Sequence, residues 1–240
     1  MSQVHALVRI SPVSTDLPPS RKDAEALQIL ATEHWSLLAT RALTYQESLG
    51  RVNMFLAILS GAVIALALVA QADHFGAAFI SIAIFMLAIV FFVGLLTVRR
   101  LLMLNLDDYM WVVAMNRIRN AYMTMHPELE PHFTTSAHDD LAGVLLTLGV
   151  EPLGATRIGS ILHSLVTLPG MLGVIVASVG GAIGALIASG FGAPRVVILL
   201  VGLVFFLVAV ALVARWGRSS VRSPSPGLKS RFPTPKTPPS

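Results

Sequence analysis

Residues 76–127 read GAAFISIAIFMLAIVFFVGLLTVRRLLMLNLDDYMWVVAMNRIRNAYMTMHP, and the distance one helix runs through them decides the fold. The first 23 residues, Gly76 to Val98, contain no Asp, Glu, Lys, Arg or His. A helix rises 1.5 Å per residue, so roughly 17–25 apolar residues cross a bilayer core of about 30 Å. Arg99 and Arg100 follow, yet no helix breaker occurs between Gly94 and Pro127. The pattern predicts one helix that leaves the membrane at the arginine pair and continues through residue 126.

Three further runs lack ionisable residues: Met54–Ala70, Leu168–Ala188 and Val196–Ala214, with 17, 21 and 19 residues. None alternates with period two, and lipid leaves open strand edges unpaired. The expected class is all-α: an integral membrane protein with four transmembrane helices as two hairpins and a cytoplasmic helical stalk. The spans are expected at 52–71, 76–98, 168–188 and 196–214. Of the 17 Lys and Arg residues, only Arg195 lies in the two short connections, 71–75 and 189–195. Positive charge concentrates on the cytoplasmic side, so both termini and the central segment are expected inside the cell membrane. The first twenty residues lack a signal peptide's apolar core.

The net charge of +4 does not point to nucleic acid. Basic and acidic residues cancel before the first span, and the central segment is net acidic. The excess lies in residues 215–240, RWGRSSVRSPSPGLKSRFPTPKTPPS, where proline and serine replace the apolar residues a core needs. This basic tail is expected to be disordered, with anionic-lipid contact through residues 215–236. PTPKTPP also resembles a polyproline ligand, and four Ser-Pro or Thr-Pro pairs could accept phosphate. The absence of cysteine excludes disulfides and thiolate chemistry.

The cytoplasmic segments are helical in pattern. Residues 1–19 read as a flexible N-terminus, and Ser20 with Asp23 as a cap opening a helix over 20–50. Ala31, Trp35, Leu38, Ala42, Tyr45, Leu49 and Val52 recur at four and three, as do Trp111, Met115, Ile118, Tyr122 and Met125. That is a short coiled-coil seam, and connectivity makes the two stripes each other's partners within a hairpin spanning 20–126, whose extension covers 99–126. The rival arrangement lays both stretches flat on the inner leaflet; continuity with the spans favours packing.

Residues 127–157 form a cytoplasmic connector. It opens with the histidine-rich stretch MHPELEPHFTTSAHDD (125–140), and Asp139 or Asp140 caps a short helix, LAGVLLTL, closed by Gly149. His126, His132 and His138 are the candidate metal ligands, with Glu128, Glu130 or Asp139 beside them. Their spacings of six match no common zinc pattern, so no metal and no cofactor are expected. The acids here are the ones able to meet Arg117 or Arg119. Asp107–Asp108 is a carboxylate pair near the membrane surface, more economically read as solvated helix acids. No nucleophile or phosphate-loop motif occurs, and no catalytic residue is assigned.

In the segment 158–214, Ile158, Ile161, Leu162 and Leu165 suggest an interfacial helix with His163 near the headgroups, turning into the third span at Pro169. That span carries two small-residue rows: Gly173, Ala177, Gly181, Ala185 and Ser189, then Gly180, Gly184, Ala188 and Gly192. Such faces let helices approach closely in lipid. One antiparallel neighbour covers one row; the second is expected on another helix, within the chain or in a homo-oligomer.

W-x-L-x-x-x-R at Trp35, Arg51 opening a span, GLLTVRR, NRIRNAY, HPELEPHF and HDD together resemble a group of uncharacterised bacterial multispanning membrane proteins across residues 30 to about 150. The resemblance implies the multispanning fold and carries no activity. In layout alone the chain is similar to the two-span effector domains of bacterial nucleotide-signalled defence systems, which are thought to act as pores. Three functions follow as expectations. An interaction or scaffold protein organised through its stalk, with a cytoplasmic protein partner, is first. A homo-oligomeric pore is second. A membrane enzyme using Asp107–Asp108 or the histidine loop is third.

Overall fold

The computed structural model describes residues 21–149, 167–222 and 229–235. The expected N-terminal segment 1–19, the cap at Ser20, the interfacial helix before residue 167 and the remainder of the tail lie outside the described residues. Among the described residues the regular elements are all helices: α1 (Arg21–Asp73), α2 (Ala77–Met125), a 3-10 helix (Pro127–His132), α3 (Leu141–Thr147), α4 (Leu168–Gly190) and α5 (Arg195–Arg222). Four of them, α1, α2, α4 and α5, are long and apolar enough to cross a membrane. Their outward faces fit that setting. Met54, Ile58, Val63, Ile64 and Leu68 of α1 and Leu199, Leu203, Val204, Leu207 and Val208 of α5 are exposed. Each would be strongly disfavoured in water, at about 25 cal/mol per Å² of apolar surface, and is at home against lipid chains.

α1 and α2 extend well past their apolar runs because neither contains proline, and Gly50, Gly61 and Gly94 each cost only about 1 kcal/mol in a helix. The chain reverses between them at His74 and Phe75, both at positive φ. Asp73 stabilises the reversal: its carboxylate accepts from the Phe79 amide at 2.7 Å and its carbonyl from Gly76 at 2.9 Å. Arg41 meets Asp108, Glu47 meets Arg100 and Phe55 lies against Gly94, so the two helices run in opposite directions.

α2 is the central element, touching α1, α4, α5, α3 and the 3-10 helix. At the tightest point a Cβ on Gly94 would stand 2.6 Å from Val176 Cγ2 and 2.9 Å from Phe55 Cε2. Phe55 and Val176 are fully buried, so three helices meet there with no room for a side chain.

Both small-residue rows of α4 are used within the chain. Gly181 lies against the Gly202 carbonyl, Gly173 against Val213 and Gly184 against Phe205, all on α5. Gly180 lies against Phe91 of α2, and Ala177 and Ala188 are buried. In the second row Gly180 thus meets α2 and Gly184 meets α5, whereas nothing lies within 4 Å of Gly192.

Two expectations need correction. The seam exists on α2, where Met115 and Ile118 are buried with Trp111 and Tyr122 packed beside them. On α1 it is one residue out of register: Trp35 is 69% exposed, Tyr45 61% and Leu38 40%. Leu30 and Leu37 enter the contact instead, on the row that continues through Arg41 and Ser48. The buried row of α1 runs on through Phe55, Ala62 and Ala70, and the same face brings Arg41 to Asp108 and Glu47 to Arg100. The tail is also more ordered than expected. α5 continues through residues 215–222, and residues 229–235 are held against the connector.

Candidate functional site

The polar contact between α1 and α2 is built from those paired charges. Arg41 makes a two-pronged bridge to Asp108, Nε to Oδ1 at 2.6 Å and Nη2 to Oδ2 at 3.2 Å. Glu47 accepts from Arg51 at 2.8 Å and from Arg100 at 3.0 and 3.1 Å; these hydrogen bonds hold its carboxyl below the usual range. His34 sits farther along the same row with Nδ1 buried and unpartnered, and burial reinforced by Arg119 lowers its pKa, keeping it neutral. Asp108 is thus paired with Arg41 across the two helices.

Beyond this contact, α2 carries Asn116, Arg117 and Arg119 to the connector. Asn116 is completely buried. Its Nδ2 donates to the His138 carbonyl at 2.7 Å, while Oδ1 accepts from Arg119 at 2.6 Å and from Thr147 of α3 at 3.0 Å. Arg119 also donates to the Ser136 carbonyl at 3.1 Å, and its burial lowers its pKa. One amide therefore joins α2, residues 136–138 and α3. A Cβ at Gly143 would strike the His138 carbonyl, so only glycine permits α3 to close over the loop.

This frame presents Asp139 and Asp140 in succession. Asp140 caps α3, accepting from the Gly143 amide at 2.9 Å. Asp139 has no accessible side-chain surface and pairs with Arg117 at 2.7 Å. The rest of its coordination comes from the tail. Ser230 Oγ donates to Asp139 Oδ1 at 2.7 Å, the Phe232 amide to Oδ1 at 2.8 Å, and the Arg231 amide to Oδ2 at 2.9 Å. In return the Asp139 amide donates to the Phe232 carbonyl at 3.1 Å, and Arg117 Nη2 to the Lys229 carbonyl at 3.0 Å. Asp140 receives both the amide of Thr234 at 3.0 Å and its hydroxyl at 2.8 Å.

Electrostatics at the two acids follow from these contacts. Burial alone would raise the Asp139 carboxyl, but donation from the Arg231 amide, Ser230, the Phe232 amide and Arg117 outweighs it and pushes the pKa far below the usual carboxylate range. Asp140 moves the same way for the same kind of reason, led by the Gly143 amide and Thr234. Both are anions at neutral pH, and the dock is a pair of fixed negative charges reading backbone N–H groups and two hydroxyls. Residues 229–235, KSRFPTP, are bound through the pattern hydroxyl-x-x-Pro-hydroxyl, while the Lys229 and Arg231 residues stay exposed.

The three histidines are not brought together. His126 Nδ1 lies 2.9 Å from Glu128, His132 ends the 3-10 helix, and His138 offers its carbonyl to Asn116 while its Nδ1 is buried without a partner. Among the described residues no three His, Asp or Glu side chains converge on a common point. The pairing of Arg117 with Asp139 was within reach of the sequence, as was the cap at Asp140. Asn116 and the tail were missed. Asn116 lies inside NRIRNAY, where a fully apolar seam gave it no role, and backbone donors in the tail leave no signature in composition. No protein-family model, curated protein or solved structure matches the chain.

Proposed function

We propose that this chain is an integral interaction protein of the cell membrane, with both termini cytoplasmic, whose α1–α2 hairpin projects inward as a stalk bearing a short-peptide site. The observation that carries the proposal is the capture of residues 229–235 by Asp139 and Asp140. A buried carboxylate paired with an arginine on one side and main-chain amides on the other supports a peptide-holding role. The tail is then the resident ligand, and a cytoplasmic protein segment of the same pattern is the partner class that would displace it. The orientation rests on the concentration of Lys and Arg outside the two short turns. A homo-oligomeric pore is the second reading; the contacts of Gly173, Gly180, Gly181 and Gly184 with helices of the same chain leave it less of the α4 surface for assembly.

Docking changes the expected role of the tail at the membrane. Arg117 lies 19 residues beyond Val98 on α2, which places it ~28 Å from the end of the span at 1.5 Å per residue. Residues 229–235 cannot be docked there and touch anionic headgroups at once, so lipid contact through that segment belongs to the released state, while residues 215–222 of α5 adjoin the span in either state.

The test is binding in trans. A synthetic peptide of residues 227–236 should bind the full chain carrying Ser230→Ala and Thr234→Ala, whose own tail is weakened, and should lose binding when Asp139→Asn is added. Equal binding by a scrambled peptide, or none by the native one, refutes the reading. A reporter fused after Arg215 should behave as cytoplasmic and one inserted between Asp73 and His74 as external.

A further inference from the structure

We propose that Thr234 is a phosphorylation site and that phosphate there releases the tail from the connector. The inference rests on the docked state described above and adds its control. The Thr234 hydroxyl donates to Asp140 Oδ1 at 2.8 Å while its amide donates to Oδ2 at 3.0 Å. The residue thus fits only as a donor, pressed against a carboxylate. Asp139 has Arg117 as a counter-charge, whereas among the described residues no cation pairs with Asp140. Thr234 is only half-buried and is followed by Pro235, so the released strand offers a hydroxyl-proline step in a basic, acid-free context to a proline-directed protein kinase.

The chemistry is ordinary phosphoryl transfer. Thr234 Oγ1 loses its proton and forms a bond to the γ-phosphorus of a nucleoside triphosphate. The bond from that phosphorus to the β,γ-bridging oxygen breaks, and a nucleoside diphosphate leaves. Hydrolysis of the ester by a phosphatase restores the hydroxyl. The product carries a charge of about −1.5 to −2 and three acceptor oxygens where a donor stood. At Thr234 it faces Asp140 across a hydrogen-bond distance and removes the proton that bridged them. Redocking is then opposed by like charges as well as by a lost hydrogen bond. Ser230, which donates to Asp139 Oδ1 at 2.7 Å, is the weaker candidate because arginine follows it instead of proline, and Arg117 neutralises its acceptor.

The test uses the full chain in nanodiscs of neutral lipid. Cysteines at Leu129 and Lys229, both exposed and in a chain with no native cysteine, carry spin labels for distance measurement. The unmodified chain should give one narrow distance distribution. Phosphothreonine installed at 234 should broaden it and lower the docked-to-released ratio by at least ~100-fold, as like charges about 4 Å apart near a protein surface require. Thr234→Val, which removes one hydrogen bond without adding charge, should lower the ratio by only about 10-fold, well short of the phosphorylated chain. A narrow distribution in the phosphorylated chain overturns the switch and leaves docking intact. Release by valine as complete as by phosphate overturns the role of charge. A broad distribution in the unmodified chain overturns the docked state itself, and the switch with it.

Discussion

Asp139→Asn isolates what holds the tail. The carboxylate receives Arg117 Nε at 2.7 Å and the Arg231 amide at 2.9 Å on Oδ2, with Ser230 Oγ at 2.7 Å and the Phe232 amide at 2.8 Å on Oδ1. Asparagine fills the same volume but turns one oxygen into an N–H₂ group, which then confronts two donors. Hydrogen bonds to a charged group contribute about 1.5–3 kcal/mol each, so losing two removes about 3–6 kcal/mol. Release lets the freed groups hydrate, which favours the lower end, ~3 kcal/mol or a factor of roughly 100 in the docking equilibrium. Trypsin reports it directly, because the bonds after Lys229 and Arg231 lie within the docked strand and are cleavable only when it is free. With redocking faster than cleavage, the rate follows the released fraction. In nanodiscs the variant should be cut at these two bonds up to ~100-fold faster than the parent. Equal rates in the two proteins would refute the assignment of Asp139 as the anchor.

Acid should do reversibly what the substitution does permanently. The Asp139 carboxyl is depressed furthest when docked and rises when the tail's donors leave, although Arg117 stays beside it, so docking is fully supported above the ordinary carboxylate value of about 3.9 and weakens as pH falls below it. Cleavage after Lys229 should therefore be independent of pH near neutrality, and the spin-label distance should broaden only below about pH 4; broadening centred near pH 6 would point to a histidine instead. Gly94→Ala inserts a methyl 2.6 Å from Val176 Cγ2 and should lower the thermal midpoint in detergent by an amount equivalent to about 1–3 kcal/mol. Gly61→Ala, with nothing within 4 Å, should leave the midpoint unchanged or slightly raised. Asn116→Ala leaves Arg119 without its side-chain acceptor and the His138 carbonyl without its amide donor. It should cost about 2–4 kcal/mol and raise hydrogen exchange across residues 136–147; unchanged protection there would show that the loop holds without it.

The spans were legible because lipid imposes one rule, length of apolar helix, and α1, α2, α4 and α5 obey it. The register of α1 was not. Trp35, Leu38 and Tyr45 form the more apolar row, and a rule that sends apolar residues inward selects it. The buried row is instead the one that continues Phe55, Ala62 and Ala70 of the apolar run, with Arg41 and Glu47 meeting Asp108 and Arg100 on that face. A one-residue difference rotates a helix by about 100°, so packing at one end sets the contacts along the rest. The cap at Asp140 was readable from local chemistry. Asp139 looked equally fit for capping, and what separates the two acids is a strand 91 residues away in sequence donating to Asp139 through its amides. Main-chain donors exist at almost every position and so carry no sequence mark.

α2 is unbroken by proline from the turn at Gly76 to Met125, and this makes it a lever. The dock rides at its tip, while the strand that fills the dock is attached through residues 223–228 to the end of α5. The two attachments therefore move with different helices. A bilayer that thickens or thins changes helix tilt to match its apolar length. A relative tilt of α2 and α5 would thus move the dock and the tether of its strand apart.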